Sequence, residues 1–246
     1  MTFVAPGNDA LTLADQLRTA ISNRAANAPR SRQKEVGLSE VGEQCARRLA
    51  YKILDWNVTN KNTDPWASIS GTAIHAWLAE TFEAEGERYL VEHPVKVNEE
   101  LGGTCDLFDK ENHMVIDHKC VGSASMKARK SGGMTDQQRV QISLYAYGME
   151  NQGEKVEKIA LAFYPLGGRL DGMHTIVEPY SKALAEAAIQ RYEDIKVLIW
   201  QLDPEANPQN WELIPKTTSR SCLYCPFFLP GSNDLSKGCP GTGDAQ

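Results

Sequence analysis

The spacing of apolar residues changes from a helical to an extended period after the first third of the chain. Residues 10–26, 39–55 and 70–86 are amphipathic with a helical repeat, which predicts three helices. The second is predicted to begin at Ser39 as its N-cap and the third to end at Gly86. Three segments then alternate between apolar and polar residues, YLVEHPVKV, GTCDLFD and HMVIDHKC, and predict three strands, the last two joined by a polar turn.

The remaining chain predicts a loop over VGSASMKARKSGG, a helix over MTDQQRVQISLYAYGMEN, and a strand pair formed by VEKIALAFYPL and LDGMHTIVEP. A long helix follows over residues 180–202, and the Pro-, Gly- and Cys-rich chain from residue 203 predicts an irregular cap. The order of elements predicts an α/β fold in which helices flank a small, mostly antiparallel mixed sheet. The N-terminal helices precede the sheet, and a C-terminal Cys-rich cap held by metal follows it.

The length of 246 residues fits one large domain or one domain with an appendage, and 41% hydrophobic and 24% charged residues are typical of a globular protein. No apolar run reaches the roughly 18 residues that a membrane helix requires. The N-terminus lacks the basic start and apolar core of a secretory signal, so we expect a soluble cytoplasmic protein without a membrane partner. The net charge of −6 argues against a purely electrostatic nucleic-acid binder, so any nucleic-acid site must be local.

The hairpin GTCDLFDKENHMVIDHKC carries the chemistry. A turn centred between Glu111 and Asn112 puts Asp106 directly across from Asp117, and Lys119 shares the face of Asp117. Opposed carboxylates repel each other, and a divalent cation such as Mg²⁺ or Mn²⁺ removes that conflict. A lysine on the same face can stabilise an oxyanion or orient water, as metal-assisted phosphodiester hydrolysis requires. The alternative is a solvent-facing hairpin edge, since a slip of one residue would separate the aspartates.

Three further features have a functional and an ordinary interpretation. His75, in GTAIHAWL, is either a metal ligand or a packed helix residue. One helical stripe offers amide and phenol groups either to DNA or to solvent, and a basic segment before it either follows a nucleic-acid backbone or is a mobile loop. The stripe consists of Gln138, Gln141 and Tyr145, and the basic segment of Lys127, Arg129 and Lys130.

Six cysteines fall into two groups. Cys105 and Cys120 belong to the hairpin strands, on the face shared with His118 and away from Asp106, and are predicted to be ordinary buried thiols. The other four could bind Zn²⁺ or an iron–sulfur cluster, or stay reduced and unliganded. They are Cys45, Cys222, Cys225 and Cys239. A metal bound by all four would join the N-terminal helix to the C-terminal tail, so its loss should lower stability.

Six motifs occur in one order: SEVGEQCARRLAY, GTAIHAWL, GTCDL, VIDHK, QISLY and CLYC…CP. In this order they resemble the RecB-like nucleases of the PD-(D/E)XK superfamily. With the cysteines, the chain is similar to the iron–sulfur branch, which includes CRISPR-associated, AddB-type and phage exonucleases. The resemblance covers roughly residues 39–240. It implies a nuclease domain there, an N-terminal helix and linker over 1–38, and a tail over 241–246.

The resemblance also implies roles for single residues. Mg²⁺ or Mn²⁺ would be held by His75, Asp106, Asp117 and the backbone carbonyl of His118. Lys119 would be the catalytic lysine, and the Q-x-x-x-Y motif, here Gln141 and Tyr145, would line the active site. Cys45, Cys222, Cys225 and Cys239 would hold a [4Fe–4S] cluster, although the gap between the last two is longer than usual in the family. Glu92 stands where some relatives carry an acidic residue, and is either a group near the metal or a plain strand residue.

The function expected on this basis is metal-dependent exonucleolytic hydrolysis of DNA. The resemblance favours single-stranded ends, the 5′→3′ direction and a role in recombination, repair or phage replication, with a recombination or replication protein as partner. The alternatives are a non-catalytic DNA-binding partner whose metal holds the fold, and an endonuclease that uses the same site.

Overall fold

The computed structural model describes residues 8–27, 35–61, 64–217 and 220–241. Most of the predicted linker before residue 38, and residues 242–246 of the predicted tail, lie outside these ranges. The helices are α1 (Asn8–Ala26), α2 (Leu38–Val41), α3 (Ala46–Ile53), α4 (Trp66–Glu83), α5 (Ser123–Gly132), α6 (Asp136–Asn151) and α7 (Lys182–Leu202). The strands are β1 (Tyr89–Lys96), β2 (Gly102–Asp109), β3 (Met114–Val121), β4 (Lys158–Pro165) and β5 (His174–Pro179).

The five strands form one mixed sheet in the order β1-β2-β3-β4-β5. Neighbouring strands are antiparallel except β3 and β4, which are parallel and are therefore joined by a crossover that contains α5 and α6. Strand β4 is an interior strand and carries an unbroken buried apolar run, whereas β5 alternates between half-buried and exposed positions, as an edge strand does. The predicted α/β fold with a small mixed sheet flanked by helices is confirmed.

Two long helices cover opposite faces of the sheet. Asp117 and His118 are consecutive in β3, so their side chains point to opposite faces. Asp117 accepts a hydrogen bond from Gln141 of α6, whereas His118 stacks on Phe82 of α4. Helix α6 supplies much of the core, and Ile142, Leu144, Ala146 and Met149 of this helix are fully buried.

Three local predictions are wrong, each for an identifiable reason. The predicted helix over 39–55 is interrupted between α2 and α3, because Gly42 packs directly on the backbone of α6 and ends the first helix. The N-cap of α2 is Gly37 rather than Ser39, and its backbone N–H is bound by the Glu40 carboxylate. The segment VGSASMKARKSGG forms helix α5 rather than a loop, since its Ala, Met, Lys and Arg residues favour a helix and Met126 anchors it in the core.

Helix α1 packs differently from the others. Its apolar side chains Leu13, Leu17 and Ile21 are all exposed in the described part of the chain. None of the helices described is both long enough and apolar enough to cross a membrane.

Candidate active site

The hairpin has the predicted register, but its ladder ends at the site. Leu107 pairs with Ile116 and Phe108 with Val115, so Asp106 and Asp117 come next on their strands. At that point the backbone N–H of His118 donates to the Asp106 carboxylate, at 2.8 Å, instead of to a backbone carbonyl of β2. The strands therefore separate at Asp106, and its side chain occupies the gap.

The neighbouring β1–β2 ladder is interrupted at the same level. It pairs His93 with Cys105 and Val91 with Leu107 but skips Glu92 and Asp106 between them. Glu92 has a φ of 44°, in the left-handed region that non-glycine residues seldom adopt. Such a conformation costs about 1–3 kcal/mol and persists only where the surroundings impose it.

The interruption gathers three possible ligands for a cation. His75 of α4 lies with its Nδ1 3.5 Å from Asp106 Oδ2. One ligand atom from each of His75, Glu92 and Asp106 lies within 4.8 Å of the others, and this is the one such group of three or more in the described chain. Two carboxylates and an imidazole suit Mn²⁺ and comparable divalent ions.

The second carboxylate is paired with the lysine. Lys119 Nζ lies 2.5 Å from Asp117 Oδ2, as the shared face of β3 predicts. Gln141 Nε2 donates to Asp117 Oδ1 at 3.3 Å and to the Tyr145 hydroxyl at 3.0 Å. Asp117 is almost fully buried, whereas about a quarter of the Lys119 side chain is exposed, so the ammonium group is the part of this pair that solvent or a ligand can reach.

Burial dominates the electrostatics of the two aspartates. It raises the pKa of Asp117 to about 6, with repulsion from Asp106 adding to the effect and attraction to Lys119 opposing it. It also raises the pKa of Asp106, although His75 and the N–H of His118 counteract the rise. Each carboxylate is thus less stable as an anion than in water, and a bound cation would reverse that.

His118 lies on the opposite face from Asp117. Its ring stacks on Phe82, lies edge-on to His75, and has Nδ1 3.3 Å from the Tyr164 hydroxyl. Burial lowers the pKa of His118 to about 4, so its side chain is neutral.

The prediction that Cys105 shares the face of His118 is wrong. A Cβ at Gly103 would lie 3.2 Å from the Tyr145 ring, so Gly103 and, two residues further, Cys105 face α6. The reason is the interruption at Glu92 and Asp106, which breaks the alternation of β2. Cys105 is fully buried, as predicted, but Cys120 is half-buried.

The other predicted DNA-contacting residues lie on two helices. Lys127 and Lys130 are exposed on α5, and Arg129 is half-buried beside them and donates to the carbonyl of Gly133. Gln138 has a capping role at the start of α6, where its side-chain oxygen accepts from the backbone N–H and the hydroxyl of Thr135. The Gln138 side chain is therefore engaged at the helix start, apart from the hydrogen bond between Gln141 and Tyr145.

The four cysteines predicted to act together line one cavity of about 210 Å³. They are Cys45, Cys222, Cys225 and Cys239. Cys45 is the N-cap of α3, and its backbone N–H is held by the Glu43 carboxylate. Cys239 reaches the same cavity despite its distance in sequence, because it pairs with residues 227–229 through two backbone hydrogen bonds of 2.7 Å.

The sequence leaves the role of Glu92 open and does not single out Gln137 or Arg47. Glu92 joins His75 and Asp106 only because of its unusual backbone conformation, for which the sequence has no signal. Gln137 and Arg47 line the cysteine cavity. Arg47 could have been noticed from its position two residues after Cys45, on the first turn of a helix.

The site places acidic residues, a histidine and a lysine at the point where sheet strands separate, an arrangement of the kind that metal-assisted phosphodiester hydrolysis uses. A profile of the PD-(D/E)XK nuclease superfamily matches residues 14–228. The chain belongs to this superfamily, whose nucleases use divalent metal ions.

Solved structures are similar in fold. The alkaline exonuclease LHK-Exo from Laribacter hongkongensis superposes with a TM-score of 0.51 at 15% identity, covering 72% of this chain and 95% of its own. A phage-related exonuclease from Haemophilus somnus 129PT gives a TM-score of 0.48 at 14% identity, covering 70% of this chain and 96% of its own. No curated protein sequence matches the chain. At these identities the likeness concerns the fold alone.

Proposed function

We propose that the protein is a metal-dependent DNA exonuclease. The observation that carries this proposal is the Asp117–Lys119 pair beside the group of His75, Glu92 and Asp106. Carboxylates and imidazole on one side and an accessible ammonium on the other are what hydrolysis of a phosphodiester needs in one place.

The residues that would hold the ion are His75, Asp106, Asp117 and the carbonyl of His118, with Glu92 as a further ligand. This set of ligands fits a divalent ion, because Mn²⁺ accepts both carboxylate oxygen and imidazole. Mg²⁺ prefers oxygen ligands and would bind mainly to the carboxylates. The bound ion would supply Lewis acidity and lower the pKa of water at the scissile phosphate.

Lys119 assists the attack by orienting water and stabilising negative charge on the phosphate. Gln141 keeps Asp117 in place through the 3.3 Å hydrogen bond, and Tyr145 in turn holds Gln141. Burial raises the pKa of Tyr145, so its hydroxyl is protonated and serves as a hydrogen-bond partner rather than a base.

The preference for single-stranded ends, the 5′→3′ direction and the role in recombination, repair or phage replication rest on resemblance. LHK-Exo, which is similar in fold, carries the description alkaline exonuclease. The exposed cations of α5, Lys127 and Lys130, with Arg129 beside them, would contact the DNA backbone.

The four-cysteine cavity fits an iron–sulfur cluster better than a single zinc ion. Four thiolates around zinc, at Zn–S distances of about 2.3 Å, require sulfur atoms about 3.8 Å apart. Among the described residues no three cysteine sulfurs lie within 4.8 Å of one another. A [4Fe–4S] cluster, which the resemblance favours, would occupy this cavity of about 210 Å³ and join α3 to the C-terminal segment.

The activity is tested with two substrates, end-labelled linear single-stranded DNA and circular single-stranded DNA, which has no ends. Each is incubated with Mn²⁺, Mg²⁺ or EDTA. We expect metal-dependent loss of linear DNA only, abolished in Asp117→Ala and Lys119→Ala. Lys155→Ala, an exposed lysine in the loop between α6 and β4, is the control and should cut like wild type. Cutting of circular DNA would indicate an endonuclease. DNA binding without cutting under every condition would favour the non-catalytic alternative.

The cluster is tested separately by iron, sulfide and zinc analysis of protein purified without oxygen. We expect about four iron and four sulfide per chain. Stoichiometric zinc with little iron would overturn the cluster and leave the nuclease proposal intact.

A further inference from the structure

A buried arginine at the cysteine cavity has no carboxylate partner in the described part of the chain. Arg47 lies on the first turn of α3, is 5% exposed and lines the cavity together with the four cysteines. Among the described residues its guanidinium donates only to backbone carbonyls, from Nε to Ile214 at 3.1 Å and from Nη2 to Ile214 and Glu212 at 2.9 and 3.2 Å. Within the described chain, no Asp or Glu oxygen lies within ion-pair distance of it.

The next residue, Arg48, does have a carboxylate partner, so the same helix turn can form an ion pair. Arg48, which also lines the cavity, pairs with Glu43 at 2.8 Å, and Glu43 itself is buried. Lys216, a third cation on the cavity wall, donates to the Gly241 carbonyl. The cavity wall therefore carries more positive than negative side-chain charge, in a chain whose net charge is −6.

A buried charge without a counter-charge is costly, and carbonyl dipoles offset only part of that cost. Four thiolates around a doubly charged metal centre leave a net charge of −2, whether the centre is a [4Fe–4S]²⁺ cluster or Zn²⁺. We propose that Arg47 is the built-in counter-charge of an anionic metal–thiolate centre in this cavity, and that it sets how firmly the centre is retained. This inference rests on the metal centre proposed above and not on the nuclease activity.

The test compares full-length variants loaded without oxygen with Fe²⁺ and sulfide, or with Zn²⁺ alone. Arg47→Gln removes the charge, and Arg47→Lys keeps it while removing the fork that binds the carbonyls. Arg191→Gln is the matched control, because Arg191 also donates to backbone carbonyls in the same part of the chain, those of Val41 and Gln44, but does not line the cavity. The measurement is the rate of metal loss to a chelator.

We expect Arg47→Gln to lose metal about tenfold faster than wild type or more, as expected for the loss of one charge interaction at a partly buried site. Arg47→Lys should stay near wild type, and Arg191→Gln should match wild type. The rise in Tm on metal loading should also be smaller in Arg47→Gln.

Three outcomes would overturn the inference. Arg47→Gln and wild type could lose metal equally fast. Arg47→Lys could be as impaired as Arg47→Gln, which would make the hydrogen bonds to residues 212–214 the essential part. Wild type could bind neither iron nor zinc, in which case no centre exists to be balanced. DNA cleavage by the same preparations is scored independently, so failure here is distinguishable from failure of the proposed nuclease.

Discussion

The carboxylate site and the cysteine cavity are built in opposite ways. Most residues of the carboxylate site belong to one hairpin and its neighbours in the sheet, and His75 and Gln141 are supplied by the helices that pack on it. The cysteine cavity is assembled from distant parts of the chain, with Cys45 near one end and the other three near the other end. The carboxylate site depends on a sheet that forms without it. The cysteine cavity, in contrast, is itself a connection between distant parts of the chain.

The contrast predicts that damage to the two sites has different consequences, and the largest concerns activity. Asp117→Ala should lower the rate of DNA cleavage about a thousandfold or more, since it removes a proposed metal ligand and the partner of Lys119. Its Tm should not fall, because the substitution removes a buried charge. The checks are cleavage kinetics and calorimetry on the same samples. A drop in Tm comparable to that of a cysteine variant would contradict the contrast.

Cys225→Ser should have the opposite profile. Losing one thiolate should reduce metal content and lower the free energy of unfolding by about 3 kcal/mol or more, because metal binding at such sites contributes directly to folding. Cleavage should fall only as far as the folded fraction falls. Denaturant unfolding and metal analysis measure this, and Cys120→Ser, a half-buried thiol outside the cavity, is the control. Unchanged stability would mean that the cavity does not hold the chain ends together.

Glu92→Gly tests whether the strained backbone at the carboxylate site serves metal binding. Glycine adopts a φ of 44° without strain, so the metal-free protein should gain about 1 kcal/mol in stability. Affinity for Mn²⁺ should decrease, since one of the three grouped ligands is gone. Unfolding without metal and Mn²⁺ titration measure the two effects. Glu99→Gly, an exposed loop position, serves as a control. Unchanged Mn²⁺ affinity would assign Glu92 a structural role only.

The two regions also differ in how far the sequence predicts them. The hairpin register followed from the position of a polar turn, because side chains in paired strands alternate with a fixed period. The face of Lys119 followed from the same rule. The position of Glu92 did not, since a left-handed backbone at a glutamate is imposed by tertiary contacts and not by local preference.

The cysteine cavity was predictable only as a set of residue types. A CxxC motif and two single cysteines indicate a shared site, but the sequence does not show how Cys239 returns to it. That return depends on backbone hydrogen bonds to residues 227–229. Likewise, the uncompensated charge of Arg47 becomes visible only when its partners are known, because a helix surface arginine and a buried one look the same in sequence.

Gly42→Ala tests whether the two regions are mechanically connected. A Cβ at Gly42 would lie 3.0 Å from the Gln137 carbonyl and 3.1 Å from Val140 Cβ, so α2 and α6 would have to separate. Gln137 lines the cysteine cavity, and Gln141, one turn further along α6, binds Asp117. We expect a loss of about 1–3 kcal/mol in stability, together with reduced cleavage. Gly71→Ala, where a Cβ has open space, is the control. Lost stability with normal cleavage would show that α6 does not transmit the change.

The last prediction concerns the turn end of the hairpin, away from both sites. Asp109 is buried and receives hydrogen bonds from Arg88 and from Asn112, which lower its pKa to about 2 although burial alone would raise it. Because this value lies below the pKa of about 3.9 in an unfolded chain, the carboxylate stabilises the fold above about pH 4, and that contribution is lost as the pH falls towards 2. Asp109→Asn should therefore cost about 1–3 kcal/mol at pH 6 and progressively less below pH 4. Urea unfolding of both proteins over this range measures it, and a cost independent of pH would show that hydrogen-bond geometry rather than charge holds this turn.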